Sequence, residues 1–273
     1  MKARHTTAAL LVAVALTAAG CGSEDEPLET AVTATDFVAL GDSYAAGLGA
    51  GNYNSDANCR QSLDGGYPQL FAKQQTTPFG KVTDASCAGA VINDVRYEQL
   101  DALSDTTGVV TLTVGGNDAG WTTSVQECLF ADDKACAASV EQNIGKAKST
   151  LPAALDDLYE SIRSKAPNAK VYVLGYPHLV AQPGKSGVTC QQLGDARREA
   201  LNEGADDLVE LIKGRVEAQQ GFVFVDVREA FRGHEACTKE PWIHSVGADL
   251  AESFHPNADG YQAYLKALLS VAG

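Results

Sequence analysis

The chain has 273 residues, 45% of them hydrophobic and 21% charged, a composition that suits a globular protein with a large core and excludes a disordered or fibrous one. A formal charge of −14 without any basic run excludes a phosphate-backbone partner, since nucleic-acid binding draws on clustered Lys and Arg. No nucleic acid is expected as a partner.

Lys2, Arg4 and His5 precede an apolar stretch from Ala8 to Ala19 that is too short to span a bilayer comfortably. Residues 1–20 are therefore read as a signal peptide. The stretch ends in "LTAAGC", which resembles the lipobox of bacterial lipoproteins, cleaved before an acylated cysteine, here Cys21; Ala18 stands where that pattern usually has Leu. An ordinary secretory cleavage nearby, with Cys21 an incidental thiol, is the alternative. Residues 21–34, acidic and without apolar periodicity, are expected to be a tether, and 35–273 a single domain. An acidic body does not adhere to an anionic membrane unaided, so a membrane is expected as a partner only through a lipid on Cys21.

Seven cysteines in an exported chain leave one unpaired, and Cys21 stands apart from the rest. Six cysteines allow fifteen pairings. Sequential pairing, Cys59–Cys87, Cys128–Cys136 and Cys190–Cys237, closes each loop locally and is the pairing expected. A zinc cluster fails on spacing, because such sites use tight C-x₂₋₄-C pairs, whereas Cys128 and Cys136 are eight residues apart. No metal is expected.

From Asp36 onward, short β-branched runs alternate with longer helical patterns, the signature of a parallel sheet built from βαβ units. The strands are expected at Phe37–Leu40, Lys81–Thr83, Val109–Val114, Val171–Leu174 and Phe222–Val227. Val140, Ile144, Ala147, Leu151, Leu155, Leu158 and Ile162 recur at helical steps, with Pro152 expected to kink or restart the helix. Leu201, Ala205, Leu208, Ile212 and Val216 mark another helix. The last runs through Tyr261, Tyr264, Leu265, Leu268 and Leu269, with Asn257 placed to cap it. The domain is expected to be a three-layer α/β/α fold.

In such a sheet, function gathers where strands end. Gly41-Asp42-Ser43 follows the first strand, Gly115-Gly116-Asn117-Asp118 the third, and Phe254-His255-Pro256-Asn257 precedes the final helix; Gly89 follows the second strand. Each has an inert reading: Ser43 as a helix cap, Asn117-Asp118 as a turn, His255-Pro256 as a loop end. His178, in "GYPHL", is the rival histidine but lacks the flanking pattern of His255. "GLGAG" at 47–51 matches no phosphate-loop motif, and no G-x-S-x-G elbow surrounds Ser43. Trp121 is read either as a pocket wall or as core, and the region Gly120–Ser139 as a pocket wall.

Taken together, the four blocks resemble those of the SGNH, or GDSL-type, hydrolases, from Asp36 to the C-terminus, and "SFHPNADGY" with the six-cysteine spacing is most similar to the secreted actinomycete lipases and esterases of that family. The resemblance implies a five-stranded parallel sheet and a serine esterase or lipase that needs no cofactor. It implies Ser43 as nucleophile, His255 as general base, and an oxyanion hole from the Ser43 and Gly89 N–H groups and the Asn117 amide. The substrate expected is a small-molecule or lipid ester, handled by a monomer; an O-acetyl esterase on polysaccharide and a catalytically inactive surface lipoprotein are the alternatives. The family's usual Asp-x-x-His is replaced, because residue 252 is Glu. Either Glu252 orients His255, or a main-chain carbonyl near 252 does so; the extra methylene of Glu would need a different loop path, which favours the carbonyl.

Overall fold

Four of the five short strand runs are mostly apolar and call for a sheet whose two faces are covered, while the fifth, Val82–Asp84, is a partly exposed edge. The computed structural model describes residues 34–184, 190 and 193–272. The leader 1–20, Cys21 and the tether as far as residue 33 lie outside the described residues. The strands are β1 (Asp36–Gly41), β2 (Val82–Asp84), β3 (Thr107–Thr113), β4 (Lys170–Leu174) and β5 (Phe222–Val225). They form one parallel sheet in the order β2-β1-β3-β4-β5. All five expected strands are present, with ends displaced by one or two residues.

The helices are α1 (Ser43–Ala46), α2 (Tyr67–Gln74), α3 (Ile92–Asp94), α4 (Trp121–Phe130), α5 (Asp133–Lys165), α6 (Asp195–Glu217) and α7 (Ala258–Ala272). α2 packs with α7, while α4, α5 and α6 pack together, giving a three-layer α/β/α fold around the sheet. No helix among the described residues is long and apolar enough to cross a membrane. Asn257 caps α7 as expected, its Oδ1 accepting from Gly260 N at 3.0 Å.

Pro152 does not restart its helix: α5 runs 33 residues through it. A proline inside a helix forfeits one backbone hydrogen bond and costs about 3 kcal/mol. Ile144, Ala147, Leu151, Leu155 and Leu158 continue one buried face on both sides of it, and that burial outweighs the penalty. Three disulfides, Cys59–Cys87, Cys128–Cys136 and Cys190–Cys237, pair the six cysteines sequentially.

The strand order reverses between β1 and β3. In a doubly wound sheet of this order a crevice opens at that point, beyond the strands' carboxyl ends. The chain leaves β1 at Gly41 and β3 at Thr113 side by side, paired in register.

Candidate active site

The end of β1 is built around a residue with no side chain. Gly41 has φ +129, and a Cβ there would lie 2.2 Å from the Thr113 carbonyl oxygen. Buried Gln99 secures both backbone groups of Gly41, accepting from its N–H at 2.7 Å and donating to its carbonyl at 2.9 Å. Asp42 then starts α1 as the cap, its carboxylate accepting from Tyr44 N at 2.9 Å. The cap is therefore Asp42 rather than Ser43, which is left as the first helical residue, with an N–H that no preceding turn can use.

The far end of the chain meets it there. His255 Nδ1 lies 3.1 Å from the Ser253 carbonyl oxygen, which can only accept, so Nδ1 carries the proton. Nε2 is then a lone-pair acceptor, and Ser43 Oγ donates to it at 2.8 Å. The loop is pinned on both sides of the ring. His244 N donates to the His255 carbonyl at 2.9 Å, Phe254 N donates to the His244 carbonyl at 2.8 Å, and Tyr44 Oη donates to the Phe254 carbonyl at 2.7 Å. Phe254 has φ +62, a left-handed conformation rare for an aromatic residue and tolerated where surrounding bonds hold it.

Asn117 and Gly89 face the same cleft as Ser43 and His255. Asn117 Nδ2 donates to the Ala90 carbonyl at 3.0 Å, and the Asp118 carboxylate accepts from Ile92 N at 3.1 Å, so the β3 turn and the 89–92 segment hold each other. Gly89 has φ +82, and a Cβ there would meet nothing within 4 Å, so the backbone angle rather than crowding favours glycine. The cleft has a volume of about 350 Å³. Trp121, Val125, Leu129, Leu179 and Leu208 form its apolar walls, so Trp121 serves both as wall and as core-packed residue. Of the stretch Gly120–Ser139, the α4 portion lines the cleft.

Burial sets the charge of both titratable groups beside Ser43. Desolvation pushes His255 down to about 4 against the opposing Ser253 bond, which keeps the imidazole neutral and able to accept a proton near neutral pH. Desolvation pushes Asp42 up to about 7, although Tyr176 Oη donates to it at 2.5 Å and Tyr44 N also bonds it.

A family model described as GDSL-like lipase/acylhydrolase matches residues 39–263. The chain belongs to this GDSL-like family. It is 39% identical over 267 residues to a lipase of Streptomyces rimosus, covering 97% of this chain and 96% of that one. It is 38% identical over 266 residues to lipase 1 of Streptomyces coelicolor, covering 96% and 95%. The crystal structure of an extracellular lipase from Streptomyces rimosus aligns with TM-score 0.80 at 40% identity, over 87% of this chain and 99% of that one. That of a phospholipase A1 from Streptomyces albidoflavus aligns with TM-score 0.81 at 38% identity, again over 87% and 99%. As a GDSL-like acylhydrolase the protein is a serine-dependent carboxylic ester hydrolase.

The carboxylate of Glu252 is turned away from His255 in this GDSL-like hydrolase. Its Oε1 accepts from Tyr53 Oη at 2.6 Å and lies 3.5 Å from the Arg60 guanidinium. Arg60 also forks onto Asp249 at 2.7 and 3.3 Å and lies over the Tyr53 ring, 4.7 Å from its centroid. Tyr53 Oη in turn accepts from Gly49 N at 2.8 Å. Next to Arg60, Cys59 is bonded to Cys87, and its carbonyl accepts from Ala88 N at 3.0 Å. Segment 49–60 thereby straps the His255 loop to the Gly89 loop. Tyr53 and Arg60 carry no motif and escape sequence reading. His178 lies elsewhere, against Asp206 at 2.9 Å and Gln182 at 2.7 Å.

Proposed function

We propose that Ser43 is the nucleophile of a lipid esterase and that His255 is its base. The Ser43 Oγ to His255 Nε2 contact of 2.8 Å beside an apolar cleft is the observation that carries this reading. Oγ attacks the ester carbonyl carbon while its proton passes to Nε2. The oxyanion is held by the Ser43 N–H, the Gly89 N–H and the free N–H of the Asn117 amide. The C–O bond to the alcohol then breaks, and His255 returns the proton to the departing oxygen. Water enters by the same route, giving its proton to Nε2 and its oxygen to the acyl carbon, and Ser43 is released. The Ser253 carbonyl holds the imidazole tautomer and stabilises the imidazolium, a dyad with a backbone partner in place of a third side chain.

The apolar walls support an acyl chain longer than acetyl, and the similarity to a lipase and a phospholipase A1 supports a lipid ester. A panel of p-nitrophenyl esters of increasing chain length, run on the parent and on Ser43→Ala, tests this. Rates rising beyond acetate in the parent and lost in Ser43→Ala are expected; activity confined to acetate would favour an O-acetyl esterase. Absence of fluorophosphonate labelling at Ser43 would favour an inactive binding protein. We further assign residues 1–20 to a cleaved leader, Cys21 to acylation, 21–34 to a tether and 35–273 to one exported monomeric domain. The mass of residue 21 after export reads the acylation directly.

A further inference from the structure

The two most exposed large apolar side chains among the described residues, Phe130 at 78% and Leu250 at 72%, both stand at the Ser43 cleft. Val246, 49% exposed, lines it as well. They come from different elements: Phe130 ends α4, while Val246 and Leu250 belong to the loop that carries His255. Both lips of the cleft therefore carry large apolar side chains in solvent, with Thr122 and Gln126 the exposed polar residues on the α4 side.

Neither lip is loose. Two residues before Phe130, Cys128 is bonded to Cys136, and its carbonyl accepts from the Arg197 guanidinium at 3.0 Å. Next to Leu250, Asp249 is forked by Arg60. Large apolar side chains fixed in solvent around a concave site mark a contact surface.

The lining of the cleft identifies what makes that contact. Inward from the lips the walls stay apolar through Leu129, Val125 and Leu208, so an acyl chain can pass from an apolar phase toward Ser43 without crossing water. Among the described residues no Lys or Arg lines the cleft, and the chain carries −14, so anionic headgroups find no counter-charge there.

We propose that Phe130, Val246 and Leu250 form a rim that seats the cleft on a neutral or zwitterionic lipid surface, from which the ester enters directly. This rests on the lipid-esterase reading above and adds the surface from which its substrate is taken.

The test uses the full exported protein carrying Ser43→Ala, so that vesicles stay intact, with native Trp121 and Trp242 replaced by Phe and a single tryptophan introduced at Phe130→Trp, Leu250→Trp or Val82→Trp. Val82 is a half-exposed control at the start of edge strand β2, away from the carboxyl ends of the sheet. Brominated phosphatidylcholine vesicles are expected to quench residues 130 and 250 and to leave 82 unquenched. Equal quenching at all three, or none at 130 and 250, overturns the proposal. So does a signal at 130 and 250 that changes with protein concentration in the absence of lipid, since the rim would then cover a second copy. Quenching that strengthens as anionic lipid replaces phosphatidylcholine also overturns it.

A second measurement separates docking from catalysis. Phe130→Ser with Leu250→Ser, on an intact Ser43, is expected to hydrolyse monomeric p-nitrophenyl acetate within about twofold of the parent and emulsified ester about tenfold more slowly. Equal losses on both substrates would make the rim only a cleft wall. A parent inert toward both substrates would instead sink the esterase reading, which the quenching result does not depend on.

Discussion

His255 works against two unlike neighbours, a backbone carbonyl that faces its ring and a carboxylate three residues earlier that does not. Because Glu252 is spent on Tyr53 and Arg60, and a Gln there can still accept from Tyr53, Glu252→Gln is expected to keep kcat/KM within about threefold of the parent. His255→Ala is expected to lose about 10²- to 10⁴-fold, the usual worth of a positioned base. Assays of both variants on one soluble ester decide it, and a Glu252→Gln protein as inactive as His255→Ala would refute the backbone dyad. Sequence could reach Ser43, Gly89, Asn117 and His255 because each sits in a local block at a strand or helix end. It could favour a main-chain carbonyl near residue 252 as the partner of His255 but not name Ser253, because a carbonyl has no residue type. Nor could it find Tyr53 or Arg60, whose partners lie 199 and 189 residues away.

The same site sets the response to pH. With His255 held down to about 4, the acid limb of kcat/KM is expected near 4 rather than near the ordinary 6.5, and a rate profile between pH 3 and 8 reads it. Stability carries two opposed contributions. His255 is neutral in the fold but gains a proton on unfolding, so between about 4 and 6.5 it makes stability rise with pH. Asp42 keeps its proton in the fold up to about 7 but loses it on unfolding above 3.8, so it makes stability fall across nearly the same window. Relative to the parent, His255→Asn is expected to lose stability with rising pH by about 1 kcal/mol per unit, and Asp42→Asn to gain about as much. Urea denaturation at stepped pH measures both slopes, and slopes of the same sign would contradict the assignment.

At the scale of elements, the pattern of residues located all five strands and the three long helices α5, α6 and α7; all but the partly exposed edge strand β2 bury an apolar face. It did not foresee that α5 would run on without interruption at Pro152, since local geometry alone cannot weigh one lost hydrogen bond against the burial that continues on either side. It also could not say which residue of Gly41-Asp42-Ser43 caps α1, because Asp and Ser are both good caps. The glycine before them is fixed more firmly than either. Gly41→Ala combines a positive φ with a Cβ 2.2 Å from the Thr113 oxygen, and is expected to cost about 2–3 kcal/mol in urea denaturation. An unchanged midpoint would mean that β1 ends differently.

For the whole molecule, one sheet edge collects what three distant stretches supply, and the disulfides fasten the loops around it. Their worth is expected to follow the chain each encloses. Cys190–Cys237, 47 residues apart, should contribute about 4 kcal/mol, and Cys128–Cys136, only 8 apart, about 2.5 kcal/mol. Denaturation of the two paired Cys→Ala variants checks this order, and the reverse ranking would point to strain or residual structure in the unfolded chain.

In the proposed mechanism the nucleophile, Ser43, lies near the start of the chain and its base, His255, 212 residues later. During synthesis the nucleophile emerges early, yet it stays a plain alcohol until nearly the last turn of sequence has been made and packed back onto β1. A nascent or truncated chain ending before residue 255 carries the hydroxyl without the means to activate it.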